Sequence, residues 1–236
     1  MNLIILHPDD FTQPDVAHLR DARRCTHIRD VHRAQPGDEL RVGVLNGALG
    51  RGRIITLDQD GIVLQITQER EPPPMLPLTL VLALPRPMML KRIFQTVATL
   101  GVQELILLHS KRVEKSFWQT PLLAPEAIAE QLLLGLEQGG ATQLPKVRFE
   151  KRFRGFVEDQ LPALTQDRLA LVAHPYDAEP CPAQVAQPTL LAIGPEGGFI
   201  DYEIEKLRAA GLAPVHLGPR IQRVETAVTF LLGRLF

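Results

Sequence analysis

The chain has 236 residues, of which 45% are hydrophobic and 22% are charged, and its formal net charge is −1. This composition is typical of a globular protein and excludes a global basic signature. No apolar run approaches the length of a membrane span, and the N-terminal segment MNLIILHPDDF lacks the basic region of a secretory signal. We therefore expect a cytoplasmic protein without membrane contact, with Cys25 and Cys181 as free buried thiols and no metal site.

Short strand-like segments fill the first 70 residues, namely NLIIL, ELRVGVL, GRGRIITL and GIVLQIT. Turn signals separate these segments, and the dipeptide Asn46-Gly47 is typical of a tight hairpin. The pattern predicts a small all-β barrel over residues 1–70, with one helix near 14–24.

Basic residues concentrate in the stretch LRDARRCTHIRDVHR of this first domain. Patches of this kind suit a polyanion, and Arg29 and Arg33 are the candidates for phosphate contacts, which position RNA without reading its sequence. The alternative is that both arginines form surface ion pairs with Asp30 or Asp38.

The segment EPPPMLP (71–77) contains four prolines in seven residues and predicts a domain boundary. Beyond it, strand-like and helix-like segments alternate, which predicts an α/β domain over 71–236 with a largely parallel sheet. Its first helix, within 88–101, is expected to bury Met89, Ile93, Val97 and Leu100 on one face.

Three predicted strands end in unusual loops: the histidine loop VAHP (172–175), the glycine loop IGPEGGF (193–199) and the arginine loop LGPRIQRVETA (217–227). Ligands bind outside the carboxyl ends of strands in an open parallel sheet, so these loops predict a binding site. Neither the dinucleotide fingerprint nor the phosphate-binding loop is present. Glu196 would repel a pyrophosphate, which favours an adenosine or a ligand with a cationic centre. The alternative is that the loops are only tight strand-to-helix turns.

The glycine and arginine loops resemble the two cofactor motifs of the RsmE-type 16S ribosomal RNA uridine-N3 methyltransferases, which belong to the SPOUT superfamily. The stretch HIRDVHRAQPGDEL (27–40) resembles a signature in the PUA-like barrel of that family. The resemblance covers most of the chain. It implies a SPOUT-type parallel sheet with a C-terminal trefoil knot, preceded by a PUA-like, RNA-binding β-barrel domain. It also implies a homodimer.

The resemblance further implies S-adenosyl-L-methionine as the cofactor and 16S ribosomal RNA, within the small ribosomal subunit, as the substrate. Carried over position by position, the cofactor-binding residues are Ala173, His174, Gly194, Glu196, Gly197, Gly198, Leu217, Gly218, Ile221, Arg223, Thr226 and Ala227.

Methylation of uridine N3 requires that this nitrogen lose its proton, so a base or a group that stabilises the anion is useful. Glu196 and Glu225 are the candidate bases, and Arg220 and Arg223 are the candidate stabilisers. Arg220 and Glu225 are retained as the predicted catalytic pair. The alternative for Glu225 is a carboxylate that satisfies amides in the first turn of a helix.

Several positions depart from the family pattern, including Thr99 and Ala141. These departures lie outside the cofactor motifs and leave two alternative functions open. One is a methyltransferase of the same fold with a different RNA target, such as a ribose 2′-hydroxyl or another base. The other is an RNA-binding assembly factor without catalytic activity.

Overall fold

The computed structural model describes residues 2–236, and their contacts divide them into two units. Unit 1 comprises residues 2–74 and Leu132–Leu144, and unit 2 comprises Met75–Gln131 and Pro145–Phe236. The junction after Pro74 lies in the proline-rich segment, where the backbone lacks the donors that a helix or a central strand needs. The 132–144 part of unit 1 comes from within the segment that the sequence assigns to the C-terminal domain.

Unit 1 contains a six-stranded sheet with the order β1-β4-β5-β6-β3-β2. Its strands are β1 (Ile4–Leu6), β2 (Phe11–Gln13), β3 (Val16–Leu19), β4 (Glu39–Val44), β5 (Leu49–Asp58) and β6 (Gly61–Arg70). Neighbouring strands are antiparallel, except that β1 and β4 are parallel. The predicted hairpin at Asn46-Gly47 is confirmed, because Gly43 pairs with Leu49 across it and Asn46 has a φ of 57°.

The predicted helix near 14–24 is wrong. Val16–Leu19 is strand β3, which pairs with β6, and the helix α1 begins only at Ala22 and ends at Thr26. Ala17 and Leu19 alternate into the core at 0% exposure, so pairing with β6 prevails over local helix propensity. The helix starts where the Asp21 side chain accepts a hydrogen bond from the Arg24 amide at 2.9 Å. A π-helical turn, His27–Val31, follows it.

A buried ion pair crosses the interior of unit 1. The Arg24 guanidinium donates from Nη1 and Nη2 to the two Asp10 carboxylate oxygens, at 2.6 and 2.8 Å, and from Nη1 to the Ile5 carbonyl at 2.8 Å. Arg24 and Asp10 are only 6% and 9% exposed. Separating the two groups would leave each charge buried without a partner, which is energetically costly. The pair therefore fixes the Pro8–Asp10 turn against α1.

Unit 2 contains a seven-stranded sheet with the order β11-β13-β10-β12-β7-β8-β9, and every neighbouring pair is parallel. Its strands are β7 (Leu76–Ala83), β8 (Val102–Leu108), β9 (Lys146–Glu150), β10 (Leu169–Ala173), β11 (Glu179–Pro180), β12 (Thr189–Ile193) and β13 (Ala213–His216). The α/β fold with a parallel sheet, predicted from the alternation of segments, is confirmed.

Six helices accompany these strands: α2 (Pro87–Thr99), α3 (Pro125–Gly139), α4 (Phe153–Gly155), α5 (Leu161–Thr165), α6 (Asp201–Ala209) and α7 (Val224–Leu235). The last eight residues of α3 belong to unit 1. Short 3-10 turns at Lys115–Gln119 and Pro121–Leu123 precede α3, and a π-helical turn at Phe156–Gln160 joins α4 to α5.

The buried face of α2 is confirmed at Ile93 and Val97 and differs from the predicted one at Met89 and Leu100. Met89 is half-buried, and Leu100 is 37% exposed because the helix ends at Thr99. The residues that α2 buries are Leu90, Ile93, Phe94, Val97 and Ala98. These positions follow the i, i+3, i+4, i+7 spacing from Leu90, so the predicted stripe was rotated from the true one by about one residue.

Cys25 and Cys181 are free and buried, as predicted, and burial raises the pKa of both thiols. Within residues 2–236, no helix is long and apolar enough to cross a membrane. The same residues contain no group of three or more His, Cys, Asp or Glu side chains that could hold a metal ion.

Candidate functional site

The histidine, glycine and arginine loops leave the sheet side by side. Strand β10 lies between β13 and β12, and all three run parallel. Ala173 at the end of β10 pairs with Ile193 of β12 on one side and with Val215 of β13 on the other. Adjacent strands are about 4.8 Å apart, so the loops that follow them share one edge of the sheet, as the sequence predicts.

The glycine loop is a tight turn with little room at its start. The Gly198 amide donates to the Pro195 carbonyl at 2.7 Å. A Cβ on Gly194 would lie 2.8 Å from the Phe199 nitrogen and 3.1 Å from the Gly198 backbone. Gly194 therefore lets the two ends of the loop approach each other, and this close approach is the reason for a glycine at the mouth of a buried strand.

Further along the loop, the backbone faces open space. Gly198 has a φ of +72°, and no atom lies within 4 Å of the position that its Cβ would take. Gly218 of the arginine loop has a φ of +103° and is equally open. Residues with side chains rarely adopt these backbone angles, so both glycines present bare backbone at the same sheet edge.

Two side chains anchor the glycine loop to other strand ends. The Glu196 carboxylate accepts a hydrogen bond from the Arg86 amide at 3.0 Å, at the residue that precedes α2. The Arg112 guanidinium, beyond the end of β8, donates to the Gly197 carbonyl. Glu196 and Gly197 are themselves exposed. The Glu196 carboxylate thus holds the loop against the start of α2.

The arginine loop is shaped by a histidine that the sequence analysis did not single out. His216 Nδ1 accepts a hydrogen bond from the Gly218 amide at 2.9 Å, which holds the imidazole against the start of the loop. Leu217 and Gly218 are half-buried, whereas Arg220 and Ile221 are exposed, Ile221 at 77%. Arg220 makes no ion pair within 4.0 Å with any residue of 2–236, so its guanidinium is available to an anion.

The histidine loop continues the pairing of β10. The His174 amide donates to the Val215 carbonyl at 3.0 Å, and the imidazole meets the Tyr176 ring edge-on, with ring centroids 5.8 Å apart. Burial, followed by the Arg208 charge, lowers the pKa of His174 below its ordinary value of 6.5. The imidazole is therefore neutral at physiological pH and presents a polar but uncharged edge beside Ala173.

The remaining arginine-loop candidates lie on or next to α7. Arg223 is the exposed residue before the helix, and Glu225, Thr226 and Ala227 occupy its first turn. Glu225 and Thr226 also line a groove of about 670 Å³ between α2 and α7. The structure therefore brings the loop residues Ala173 to Arg223 to one sheet edge and sets Glu225 and Thr226 at a neighbouring groove.

Arg29 and Arg33, the phosphate candidates, both lie in unit 1. The Arg29 guanidinium donates to the Asp58 carbonyl, and the side chain is half-buried. Arg33 is exposed, has a φ of 53°, and pairs with no carboxylate within 4.0 Å in the described part of the chain. The alternative pairing with Asp30 or Asp38 is therefore absent for both arginines among residues 2–236, and Arg33 has the freer guanidinium.

A buried carboxylate that was not predicted from the sequence supports the site. Glu203 in α6 is 2% exposed and accepts hydrogen bonds from the Lys111 amide at 2.7 Å and the Ile200 amide at 3.0 Å. Ile200 takes the cap position of α6, and Asp201 begins the helix. A carboxylate two positions after the start of a helix is the sequence signal for this role.

The open strand ends fit the S-adenosylmethionine that the resemblance implies. Bare backbone at Gly198 and Gly218 can approach a flat ligand closely. The buried Gln222 Oε1 of the arginine loop and the buried Ser110 Oγ after β8 have no hydrogen-bond partner among residues 2–236. Buried polar atoms are seldom left unpaired, so Gln222 offers an acceptor to a ligand with donors, such as an adenine or a ribose.

Comparison with known proteins agrees with this arrangement. The model of a family described as an RNA methyltransferase domain matches residues 71–235. The ribosomal RNA small subunit methyltransferase E of Treponema pallidum is 31% identical over 238 residues, which cover 96% of this chain and 87% of that protein. The methyltransferase of the same name from Synechocystis is 30% identical over 218 residues, which cover 89% of this chain and 69% of that protein.

A solved structure shows the same fold over both units. The ribosomal RNA small subunit methyltransferase E of Neisseria gonorrhoeae, bound to S-adenosyl methionine, matches with a TM-score of 0.77 at 20% identity. The match covers 98% of this chain and 95% of that one. With a family model over most of the chain and relatives that align along nearly all of it, this chain belongs to the ribosomal RNA small subunit methyltransferase E family.

Proposed function

We propose that this protein transfers a methyl group from S-adenosyl-L-methionine to N3 of a uridine in 16S ribosomal RNA, within the small ribosomal subunit in the cytoplasm. Family membership supports the reaction class, and the names of the relatives support the small-subunit RNA. The observation that carries the proposal is the strand order β13-β10-β12, because it collects the histidine, glycine and arginine loops at one sheet edge.

The twelve carried-over residues form the cofactor site in this proposal. The backbone around Gly197, Gly198 and Gly218 approaches the ligand, and the neutral His174 and the carbonyl of Gln222 border it. S-adenosylmethionine, when bound, supplies an electrophilic methyl group on a sulfonium. The protein holds the target nitrogen and the methyl group in place, and such positioning can lower the activation barrier by about 7–11 kcal/mol.

Two residues act on the target base. Uridine N3 carries a proton near neutral pH and becomes nucleophilic when that proton leaves. Arg220 is exposed and unpaired within residues 2–236, so it stabilises the negative charge that develops on the base. Glu225 is half-buried in the first turn of α7 and accepts the proton. With S-adenosylmethionine bound, N3 would gain the methyl group and the sulfonium would leave as a neutral thioether.

Residues 1–70, the N-terminal part of unit 1, are proposed as a PUA-like RNA-binding domain, and residues 71–236 as the SPOUT methyltransferase domain. The strands of the N-terminal domain surround an apolar cluster that includes Leu19, Ile54 and Leu64. Arg33 carries the strongest support for a phosphate contact, because its guanidinium is exposed and free of ion pairs in residues 2–236. Arg29 is a secondary contact, since its guanidinium already bonds to Asp58.

The trefoil knot of the SPOUT superfamily is proposed for the C-terminal part of unit 2. The Leu235 carbonyl at the end of α7 accepts a hydrogen bond from the Val185 amide at 2.6 Å. The Arg234 guanidinium donates to the Cys181 carbonyl at 3.2 Å. These bonds hold the chain terminus against the segment between β10 and β12, which is the segment that a threaded helix would cross.

A homodimer is proposed through the groove between α2 and α7. Phe230, which lines this groove, is 55% exposed, and Arg92, Thr96, Thr229 and Gly233 complete an amphipathic lining. An exposed large aromatic side chain in a groove of this size is typical of an interface. Because Glu225 lies in the same groove, a second copy would complete the surroundings of the proposed base. Sedimentation of the Phe230→Asp variant as a monomer, with the wild type as a dimer, tests this interface.

The reaction is tested by mass spectrometry of nucleosides from the small-subunit RNA of the source cells, with and without this gene. We expect 3-methyluridine to disappear without the gene and to return with the wild-type protein. The Gly198→Val variant is expected not to restore it, because a β-branched residue is strained at a φ of +72° and its side chain fills the open space.

Each of the other outcomes corresponds to one of the alternatives. Loss of a different methylated nucleoside would keep the cofactor site and change the target, as the departures at Thr99 and Ala141 allow. If no nucleoside changed, calorimetry with S-adenosylmethionine would decide between an assembly factor, which gives no heat, and an enzyme whose substrate was absent.

A further inference from the structure

A cluster of aromatic and basic side chains lies at the carboxyl ends of β8 and β9, and the proposed reaction does not use it. The Trp118 indole donates from Nε1 to His109 Nδ1 at 2.9 Å. Its ring meets the Phe149 ring edge-on, with centroids 6.2 Å apart, and Lys151 Nζ lies 5.4 Å from the Trp118 ring centroid. We call these four residues the Trp118 cluster.

The Trp118 cluster is partly exposed to solvent. Phe149 lies on the edge strand β9 and is 42% exposed. Trp118 is half-buried, and its indole N–H already donates a hydrogen bond to His109. Lys151 Nζ lies over the Trp118 ring, and Phe149 supplies the larger exposed aromatic surface beside it, which can receive a planar group.

Uncompensated positive charge surrounds these rings. Four further basic residues follow β8 and β9, namely Lys111, Arg112, Lys115 and Arg152. Lys111, Lys115 and Arg152 are exposed and pair with no carboxylate within 4.0 Å among residues 2–236. Of the nearby acids, Glu150 is taken by Arg148 and Gln160, and Glu158 by Arg154 and Lys206. Glu114, in the same stretch as Lys111 and Lys115, is exposed and forms no ion pair within 4.0 Å among residues 2–236. The basic residues outnumber it, so the surface is net positive around the aromatic centre.

We propose that the Trp118 cluster and its surrounding lysines and arginines bind single-stranded RNA, with bases stacked on Trp118 and Phe149 and phosphates on Lys111, Lys151 and Arg152. The inference rests on the proposed RNA methylation and adds a second RNA-binding surface, in unit 2. Aromatic platforms within a positive groove are the means by which proteins hold single strands. A duplex offers no free base face to such a platform.

The same surface reaches the proposed cofactor site. Arg112, beside Lys111, donates to the Gly197 carbonyl of the glycine loop. Strand β9 is separated from β12 by β8 and β7, and three strand spacings amount to roughly 14 Å. A strand of RNA on the Trp118 cluster thus lies close enough for its next nucleotides to approach the glycine loop. The cluster holds the flank of the target and Arg220 meets the target itself.

The single tryptophan makes the surface directly observable, because Trp118 is the only one in 236 residues. Its emission is recorded while the full-length protein is titrated with a short single-stranded oligouridine RNA and, separately, with an RNA duplex of the same length. We expect saturable quenching by the single strand and little by the duplex. Absence of quenching by the single strand up to ~100 μM, well into the range of non-specific nucleic-acid affinities, would overturn the proposal.

Two sets of variants separate stacking from charge, with binding measured by anisotropy of labelled RNA. Phe149→Ala is expected to weaken RNA binding roughly 5- to 150-fold, the range for loss of one stacked base. Trp118→Phe keeps an aromatic ring for stacking, so it is expected to lose less RNA affinity than Trp118→Leu. The double variant Lys111→Gln with Lys151→Gln is expected to reduce the slope of log affinity against log salt by about 1.4. Lys91→Gln, on the exposed face of α2, is the matched control and leaves the slope unchanged.

Calorimetry with S-adenosylmethionine on the same proteins keeps this inference distinct from the proposed function. If the cluster variants bind the cofactor with wild-type affinity and RNA with reduced affinity, the proposed RNA-binding surface is supported. Unchanged RNA affinity in those variants overturns the surface and leaves the methyltransferase proposal intact. A change in oligomeric state of Phe149→Ala without a change in RNA affinity also overturns it, since the cluster would then be a protein interface. Failure of the wild type to bind cofactor would count against the proposed function itself.

Discussion

The substitution Gly194→Ala tests whether the close approach within the glycine loop creates the cofactor site. An added Cβ would lie 2.8 Å from the Phe199 nitrogen and 3.1 Å from two backbone atoms of Gly198. These are backbone atoms, so no side-chain rotation relieves the contact. Ordinary contacts begin near 3.4 Å, and the loop must therefore open by roughly 0.6 Å.

Overpacking of this kind costs about 1–3 kcal/mol. If the loop relaxes in the free variant and has to close again around the ligand, the same free energy is lost from binding. The expected result is a dissociation constant for S-adenosylmethionine that is roughly 5- to 150-fold higher. The free energy of unfolding falls by no more than the same 1–3 kcal/mol, because relaxation of the free loop relieves part of the strain.

Isothermal titration calorimetry measures the dissociation constant for S-adenosylmethionine, and urea denaturation measures the free energy of unfolding. Gly155→Ala is the matched control: its nearest contact would be 3.7 Å away, at Asp159 Oδ2, and its backbone is helical. We expect this control to bind the cofactor normally. Wild-type affinity in Gly194→Ala, with the protein folded, would refute the reasoning that the closed loop forms the binding surface.

Three further predictions concern stability and backbone geometry. Arg24→Met leaves the Asp10 carboxylate buried without its partner and should lower the free energy of unfolding by about 3–5 kcal/mol in urea denaturation; a loss below about 1 kcal/mol would contradict it. Burial lowers the folded-state pKa of His27 and His174, so the unfolded chain binds protons first and stability is lost as the pH falls below about 6.5. The thermal midpoint of His174→Gln should therefore decline less than that of the wild type between about pH 7.5 and 5.5, and equal declines would count against the buried neutral imidazole. At Gly198, Asn should retain more cofactor affinity than Val by calorimetry, because Asn tolerates the left-handed backbone; the reverse order would show that backbone angle is not the constraint.

Local sequence determined the elements whose signals are local. The alternation of apolar strands with amphipathic helices predicted the parallel α/β arrangement, since each segment carries its own period. The prolines of 71–77 marked the junction after Pro74 because a proline cannot donate a backbone hydrogen bond. The dipeptide Asn46-Gly47 predicted its hairpin through the left-handed backbone at Asn46. The glycine-loop motif likewise pointed to a ligand site before any strand order was known.

Contacts between distant residues were decided only by the tertiary structure. Val16–Leu19 became a strand because β6 pairs with it, and nothing within 14–24 indicates that partner. No local pattern shows that β13 inserts beside β10 and so brings Gly218 to the edge that carries Gly198, because strand order depends on chain crossings. The Trp118 cluster likewise joins residues 109, 118, 149 and 151 through the pairing of β8 with β9. The sequence by itself therefore determined that glycine-rich loops follow these strands in a parallel sheet, because those signals are local. Only the long-range pairing of strands decided that β13, β10 and β12 are neighbours, so that their loops lie side by side.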